Sequence, residues 1–393
     1  MPGYDALVTR EARPWQILSG FFVSGVLMGL PGALLPLWDF HIHPDFGTAG
    51  NLFLALGLGV LAGGITGRRL DAKFAPAQVL SGGCFLSAIS MLALSLCGPP
   101  VSPWLQAVVV LLSGCAAGLV NTAILEGLTP WYEEDPAGTS LLGGTFFGAG
   151  STAIAWLLWQ VLDSASPARW LAVAAVIPAA AGVLYSRLTL QKTEPGTRSQ
   201  LHAREELRSG LAIMFALLLF FQFGSEWAIA GWLPVLLIDR LGISPSSGVG
   251  MLTLYWFVLT MGRLIASRFL PHVSPSRLLA LSAFCAFFGC LVLYFASNSF
   301  GVVFGLIVIG TGFSSIYPLS AERIGQRFSH YHPAYFNGIF SFALLGGMTA
   351  PWSLGHLAAG ATLQILPLAV LLSSLTVFAL ILLIWLGSKV SGG

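Results

Sequence analysis

Apolar stretches about 20 residues long recur along this chain of 393 residues, separated by short polar or Gly- and Pro-containing segments. A helix rises about 1.5 Å per residue, so ~20 residues are enough to cross the ~30 Å hydrocarbon core of a bilayer. The pattern predicts an all-α polytopic membrane protein with twelve transmembrane helices. The predicted spans are 15–38, 47–66, 75–96, 103–128, 138–162, 168–188, 209–237, 248–269, 277–296, 299–321, 334–356 and 361–386.

The charge content supports this interpretation. Asp, Glu, Lys and Arg make up 9% of the residues and apolar types 56%, whereas a soluble domain carries about 25% charged residues. A soluble globule of this composition would lack the polar surface to cover its apolar interior. The net charge of +2 is too small for a nucleic-acid partner, which needs a clustered basic face. The five cysteines have no metal-ligand spacing, and we interpret them as small core residues.

The longest hydrophilic stretch divides the predicted helices six and six. It predicts an N-terminal six-helix half at residues 1–188, a cytosolic linker at 189–208 and a C-terminal six-helix half at 209–393. If both termini are cytoplasmic, sixteen of the eighteen Lys and Arg residues lie on the inner side, and only Arg169 and Arg240 lie outside. This follows the positive-inside rule. The first fifteen residues do not have the pattern of a cleavable signal peptide. We therefore expect a multi-pass protein of the inner (plasma) membrane with both termini cytoplasmic.

The two halves also repeat each other weakly. Sliding the second half onto the first with an offset of 196 residues pairs Glu126 with Glu322 at the inner ends of helices 4 and 10. The same offset pairs Gly150 with Gly346, and Trp156 with Trp352. Two six-helix halves joined by a cytosolic linker are the plan of the major facilitator superfamily.

Several segments, in the same order along the chain, resemble the fucose/galactose/glucose:proton symporter branch of that superfamily. They are LAGGITGRRL (61–70), GCAAGLVNT (114–122) followed by LLGGTFFGAGS (141–151), FQFGSEWAIAGW (221–232), GRLIASRF (262–269) and GGMTAPWSLGH (346–356). The resemblance implies the superfamily fold and transport of a monosaccharide. The sugar:proton members carry one acid within helix 1 and another near the middle of helix 4, and neither acid has a counterpart in LPGA (30–33) or GCAAGL (114–119).

Glu226 is the candidate for substrate binding or ion coupling. It lies near the middle of helix 7, where an unpaired acid costs about 2.5–3.5 kcal/mol on insertion scales. Such a carboxyl should face a cavity or a partner, as a proton carrier or as a hydrogen-bonding group for a polar solute. Gln222 lies one turn away on the same face. The alternative is a structural Glu bonded to a neighbouring helix. With Glu226 as the one strictly mid-membrane charge and no basic partner for it, an organic anion is disfavoured as the substrate.

Aromatic side chains near mid-membrane are further substrate-binding candidates, because flat rings stack on the C–H faces of sugars. The competing interpretation is helix packing or interfacial anchoring. The aromatic candidates are Trp227, Trp232, Tyr255, Trp256, Tyr317 and Trp352.

Charged residues near the inner helix ends predict a gate in which Glu and Arg pairs hold the cytosolic side shut. The alternative is a set of snorkelling surface charges, and the basic pair of loop 2–3 could also contact anionic lipid headgroups. The gating candidates are Glu126, Arg263, Glu322, Arg323, Arg68 and Arg69.

No motif in the sequence indicates catalysis or a cofactor. Walker A, G-x-S-x-G and H-E-x-x-H patterns are absent from the chain. Asp39, His41, His43 and Asp45 form an outer loop whose spacing matches no defined metal site. We therefore predict no enzymatic activity, no cofactor and no metal.

The sequence thus favours a secondary transporter that works by alternating access as a monomer in lipid. Its predicted partner is a small polar solute, with a monosaccharide favoured, moved by proton or sodium symport or by uniport. One alternative is a proton-coupled exporter of drug-like or cationic amphiphiles. Another, from a different class, is a non-transporting membrane receptor or scaffold.

Overall fold

The computed structural model describes residues 10–11, 14–164, 166–189, 209–270, 272–328 and 339–390. In these residues, twelve helices of membrane-spanning length follow one another, and each overlaps one of the twelve predicted spans; residues 334–338 of the eleventh span lie outside the described residues. They are α1 (Trp15–Leu37), α2 (Phe46–Asp71), α3 (Pro76–Leu96), α4 (Pro103–Gly127), α5 (Pro136–Val161), α6 (Pro167–Tyr185), α7 (Gly210–Leu241), α8 (Pro245–Phe269), α9 (Pro275–Phe295), α10 (Ser299–Arg327), α11 (Ile339–Gly360) and α12 (Ile365–Val390).

Eleven of these helices also contain a segment long and apolar enough to cross a membrane, counted over the described ranges. The remaining one, α11, has 22 residues, which is sufficient length, but Thr349, Ser353 and His356 lower its hydropathy. A polar helix at this position is expected if one of its faces turns toward a protein cavity rather than lipid. The prediction of an all-α polytopic protein with twelve membrane helices is confirmed.

Small elements complete the described chain. A turn at Ser19 interrupts α1, another at Ala175 interrupts α6, and the short helix Thr129–Glu134 connects α4 with α5. Two-residue strands, β1 (Arg10–Glu11) and β2 (Leu188–Thr189), pair in parallel with Arg10 opposite Leu188. This pairing brings the start of the described chain beside the end of α6.

Packing within the first six helices is reproduced in the last six. The pairs α1–α5, α2–α4, α3–α4 and α3–α6 have the counterparts α7–α11, α8–α10, α9–α10 and α9–α12. The close approach that lets α5 lie on α1 is also repeated. A Cβ on Gly150 would collide with the carbonyl of Phe22, and one on Gly346 would collide with the carbonyl of Phe220. The weak sequence repeat therefore corresponds to two pseudo-symmetric halves.

The halves meet through α5 with α8 and α2 with α11, and α1 contacts α7 between them. We call the membrane face at which α6 ends and α7 begins the linker face, and the opposite face the distal face. The predicted linker, 189–208, lies outside the described residues except for Thr189. Its boundaries, and the assignment of the linker face to the cytoplasm, remain predictions.

Candidate functional site

A cavity of about 220 Å³ lies between the two halves. Helices α1, α2, α4 and α5 of the first half and α7, α8, α10 and α11 of the second contribute its walls. Thr139 and Ser140, in the first turns of α5, line it together with Leu128 and Tyr132. Because α5 begins at the linker face, the cavity extends from mid-membrane toward that face.

Glu226 and Arg263 form an ion pair in the cavity wall. Arg263 Nη2 donates a hydrogen bond to Glu226 Oε1 over 3.1 Å, and only 8% of the arginine side chain and 4% of the glutamate side chain are exposed. Among the described residues that line the cavity, these are the charged ones. In such a dry environment, removing one partner costs more than the pair itself contributes, about 3–5 kcal/mol.

Sequence spacing alone leaves Glu226 without a basic partner, and the structure corrects this statement. Arg263 does lie near the linker-face end of α8, which ends at Phe269, but its buried side chain reaches Glu226. Side chains tilt toward the N-terminus of their helix. Helix α7 begins at the linker face and α8 at the distal face, so Glu226 and Arg263 lean toward each other from opposite directions. The argument against an organic anion, which relied on the absence of a deep cation, therefore no longer holds.

The rest of the guanidinium and carboxyl contacts reach into both halves. Arg263 Nη1 donates to the carbonyl oxygen of Gly144 on α5 over 3.0 Å. Glu226 Oε2 has no hydrogen bond of ordinary length within the described part of the chain. The amide of the buried Gln222 adjoins the same carboxyl, and the Tyr255 hydroxyl donates to the Glu226 backbone carbonyl over 3.4 Å. The ion pair thus links α7 and α8 of one half to α5 of the other.

Gly144 contacts the ion pair and is not among the residues that the sequence singled out. A Cβ there would lie 2.9 Å from Arg263 Cδ and 3.1 Å from its Nε. With any other residue at this position, the arginine would have to shift away from the α5 backbone. The available signal was the Gly143–Gly144 pair in the segment LLGGTFFGAGS (141–151), but nothing local indicates which helix it faces.

The aromatic candidates separate into two groups. Trp227 and Tyr317 line the cavity, as do Phe147 and Phe223. The Phe147 ring packs edge-on against Trp227 at a centroid distance of 6.2 Å, and Phe223 packs against Tyr317 at 5.0 Å. These four rings form the apolar wall beside the ion pair.

The other aromatic candidates lie outside the lining. Tyr255 and Trp256 are fully buried behind the wall, and their rings are in contact at 5.5 Å. Trp232 is also fully buried, and its Nε1 donates to the Pro351 carbonyl over 2.9 Å. These contacts give the three residues packing roles around the site.

Trp352 belongs to a contact between the halves near the distal face. Its Nε1 donates to Asn51 Oδ1 over 3.2 Å, and the same oxygen lies 3.1 Å from His356 Nε2. Deeper along this contact, Phe53 of α2 packs against Trp232 of α7 at 5.3 Å. The halves are therefore closed together on the distal side of the cavity.

The remaining gating candidates lie toward the linker face, in separate places. Glu126 is half-buried and interacts electrostatically with Arg68. Glu322 accepts from Gln326 over 3.1 Å, and Arg323 donates to the hydroxyl of Ser276. Arg69 is exposed. Glu322 also interacts electrostatically with Arg323 and with Asp135 of the first half. The gating role of these residues remains a prediction.

The outer loop of Asp39–Asp45 supplies a helix cap. Asp45 accepts hydrogen bonds from the Thr48 hydroxyl at 2.6 Å and the Thr48 backbone N–H at 3.0 Å. These two bonds, helped by the nearby His356, hold the pKa of the Asp45 carboxyl below its ordinary value. No cluster of three metal-ligating side chains occurs in the ranges that the structure describes.

Twelve membrane helices in two similarly packed halves around a central cavity are the architecture of a class of secondary transporters. The chain matches the model of the Major Facilitator Superfamily over residues 17–351 and belongs to that family. It is therefore a transporter by family, and its described residues show the fold that the sequence resemblance implied.

Known relatives are distant. The chain is 26% identical over 370 residues to the uncharacterized transporter y4wD of Sinorhizobium fredii, covering 91% of this chain and 94% of that protein. Among solved structures, a variant of the fucose:proton symporter FucP of E. coli superposes with a TM-score of 0.67 at 18% identity, covering 94% of this chain and 98% of that one. A variant of the nucleoside transporter NupG superposes with a TM-score of 0.71 at 15% identity, covering 94% and 99%.

Proposed function

We propose that this protein is a proton-coupled secondary transporter of a small organic solute, in which Glu226 carries the proton and Arg263 contacts the solute. The observation that carries the proposal is the Glu226–Arg263 ion pair in the wall of the cavity between the halves. A buried pair that bridges both halves is suited to a coupling device, because its state affects the solute site and the packing of the halves together.

The coupling follows from electrostatics. While Glu226 is ionised, it holds the guanidinium of Arg263 and neutralises its charge. When Glu226 takes up a proton, the pair loses its Coulomb attraction, and Arg263 is left as an unpaired buried cation. That state is costly unless another acceptor replaces the carboxylate. A solute that supplies the acceptor therefore binds together with the proton.

The same cycle explains why translocation would require both ligands. Arg263 of the second half contacts Gly144 of α5 in the first half. A movement of the arginine side chain therefore changes the packing between the two halves. The cavity extends toward the linker face while the distal face is closed by the Asn51–Trp352 and Phe53–Trp232 contacts. Rocking of the halves about this site would open the distal side and close the linker side. The direction of transport in the cell follows from the gradients.

The monosaccharide substrate predicted from sequence stays a prediction at this stage. It is supported by the resemblance to the fucose symporter branch, while the low identity to FucP supports the fold alone. The exporter alternative requires a cation to replace the proton at Glu226, and Arg263 beside the carboxyl opposes that exchange. The small volume of the cavity also disfavours bulky amphiphiles, because typical drug-sized sites measure about 300–1,000 Å³.

Proton movement in reconstituted vesicles tests the proposal. Purified protein in proteoliposomes loaded with a fluorescent pH indicator is given L-fucose, uridine, 4-hydroxybenzoate or benzylamine, and protein-free vesicles correct for passive permeation. For the wild type we expect lumen acidification with at least one solute. Glu226→Gln should abolish that acidification while radiolabelled exchange of the same solute continues.

The control is Glu134→Gln, which removes an exposed carboxyl from the short helix Thr129–Glu134 and should leave the proton signal unchanged. Proton flux that persists in Glu226→Gln, or solute transport without proton flux in the wild type, would contradict the proposal. Failure of every solute in the panel would also count against it.

A further inference from the structure

We propose that the transported solute is a compact organic monocarboxylate with an aromatic or otherwise apolar body, carried together with one proton. This inference rests on the proposed function, because it uses the same ion pair. It departs from the monosaccharide favoured by the sequence.

The charge of the site is the first step. With Glu226 ionised, the two charged residues lining the described cavity cancel. With Glu226 protonated, the site carries one uncompensated positive charge on Arg263. The other ionisable groups that approach the pair are the hydroxyls of Tyr255, behind Glu226 on α8, and Tyr317, near Arg263 on α10. Neither is an acid that could replace Glu226, so the protonated site calls for an anion.

The donors of Arg263 are suited to a carboxylate. Its two terminal nitrogens already make one hydrogen bond each, to Gly144 and to Glu226. Protonation of Glu226 frees the N–H group that now donates to its carboxylate. A carboxylate of the solute can take that place in the same geometry, and guanidinium binds carboxylate with two parallel hydrogen bonds. A sugar hydroxyl would leave the buried positive charge uncompensated.

The walls around the pair are apolar. Phe147, Trp227, Phe223 and Met28 line the cavity, and they can contact a ring or short hydrocarbon chain but cannot hydrogen-bond several hydroxyls. A hydrogen-bonding solute such as a sugar requires partners for each buried hydroxyl, since an unsatisfied polar group costs about 1–3 kcal/mol. The composition of the wall therefore favours one charged group on an apolar body.

The polar groups nearer the linker face are mostly occupied. Thr139 donates its hydroxyl to the carbonyl of Trp131 over 3.1 Å, and the hydroxyls of Tyr132 and Ser140 interact with each other. The side-chain oxygen of Asn121 is buried and has no hydrogen bond within the described residues. One hydroxyl or amine substituent on the solute would satisfy it. The site thus has room for one polar substituent but not for the full set of a pyranose.

Size limits the solute further. A cavity of about 220 Å³ lies below the usual range for drug-sized ligands, so a single-ring acid fits and a larger conjugate does not. In each cycle Glu226 takes up a proton from the aqueous phase on one side of the membrane and releases it to the aqueous phase on the other, and no bond of the solute changes. The solute anion and the proton cross together, so net transport is electroneutral.

Binding to the purified protein tests the substrate class. Isothermal titration calorimetry compares 4-hydroxybenzoate with its neutral isostere 4-hydroxybenzamide, with L-fucose and with uridine, at pH 5.5 and 7.5. We expect the acid to bind at least tenfold more tightly than the amide. Its affinity should rise as pH falls, by up to about tenfold per unit, because one proton is taken up on binding.

Variants separate this inference from the proposed function. Glu226→Gln should bind the acid with an affinity that no longer depends on pH. Glu226→Gln/Arg263→Gln, which removes both charges and avoids an unpaired one, should bind acid and amide equally. Arg268→Gln is the control, because it removes an exposed arginine near the linker-face end of α8 and should leave the acid preference intact.

The possible outcomes are distinct. Equal binding of acid and amide by the wild type, or tighter binding of L-fucose or uridine, overturns the carboxylate assignment, and proton flux that depends on Glu226 can survive that result. An acid preference that persists in the double variant also overturns it. Potential-driven uptake of the acid, measured with a potassium diffusion potential, would contradict the electroneutral stoichiometry.

Discussion

The position of one guanidinium depends on the absence of a single methyl group. Arg263 lies against the backbone of α5 because residue 144 is glycine, and its Nη1 bonds to the carbonyl of that residue. The contact holds the arginine beside Glu226 and connects the halves. At the scale of residues, the candidate site therefore consists of Glu226, Arg263 and the space beside Gly144 that the arginine side chain occupies.

A substitution at that glycine tests the arrangement. In Gly144→Ala the new Cβ would lie 2.9 Å from Arg263 Cδ, so the arginine must shift and the ion pair must distort. Overpacking of this kind costs about 1–3 kcal/mol. We expect a lower thermal unfolding temperature and loss of solute-dependent proton flux in vesicles.

Gly325→Ala is the matched control on α10, since a Cβ there meets nothing within 4 Å. Alanine is preferred over glycine in helices by about 1 kcal/mol, so this variant should be as stable as the wild type or more so. Normal proton flux in Gly144→Ala would show that the position of Arg263 does not matter.

At the scale of elements, the helices begin where local chemistry allows. Six of the described membrane helices start at a proline, as α3, α4 and α5 do, because proline fits the first turn and its missing N–H would be unsatisfied there in any case. Helix α2 begins differently, with Asp45 as its N-cap. The spacing of Asp39–Asp45 left the role of this loop open, and the structure gives Asp45 a capping role.

The cap predicts a specific pH dependence. Because the Asp45 pKa is lowered in the folded protein by Thr48, its stabilisation is complete above the ordinary pKa of an aspartate, about 3.9. It is lost as pH falls through that value toward the lower folded-state pKa. We expect Asp45→Asn, which still caps but does not titrate, to lose less thermal stability than the wild type between pH 5 and 3.

Asp45→Ala serves as the comparison, because it removes the cap at every pH and should cost about 0.5–2 kcal/mol throughout. If the wild type and Asp45→Asn lose the same thermal stability between pH 5 and 3, Asp45 does not contribute to the acid sensitivity of the protein.

At the scale of the whole molecule, the structure is asymmetric across the membrane. The cavity reaches Ser140 near the linker face, whereas the distal side is closed by contacts between α2 and α11. Alternating access requires that this asymmetry reverse during transport, with the distal contacts separating and the linker-face ends of the helices coming together.

Cysteine accessibility tests this state. In a background without the five native cysteines, Ser140→Cys should react with a membrane-impermeant maleimide from the linker face. Ala49→Cys, at a fully buried position of α2, should be protected. When Asn51→Ala is combined with Ala49→Cys, the acceptor shared by Trp352 and His356 is lost. Because this weakens the distal contact between the halves, labelling of Ala49→Cys from the distal face should increase.

Comparing right-side-out with inside-out vesicles in the same experiment also tests the predicted orientation, because labelling of Ser140→Cys should require access from the cytoplasmic side. Protection of Ser140→Cys together with labelling of Ala49→Cys would mean that the resting protein is closed at the linker face and open at the distal face.

The sequence by itself determined the class of fold and the twelve helices, and it singled out one residue, Glu226, that lines the cavity in the structure. These features follow from local properties: the length of apolar runs, the proline and polar residues between them, and the cost of an acid in the bilayer, which singled out Glu226. The weak repeat with an offset of 196 also pointed to two related halves, and the packing of Gly150 and Gly346 agrees with it.

Only the tertiary structure decided what Glu226 faces. Arg263 is 37 residues away in sequence, and its contact depends on the antiparallel packing of α7 and α8 and on the glycine of a third helix. Likewise, Trp232 and Trp227 lie in one sequence segment, yet one is packed between helices and the other lines the cavity. Side-chain partners across helices depend on the rotation and direction of each helix, which hydrophobic periodicity does not specify when both faces are apolar.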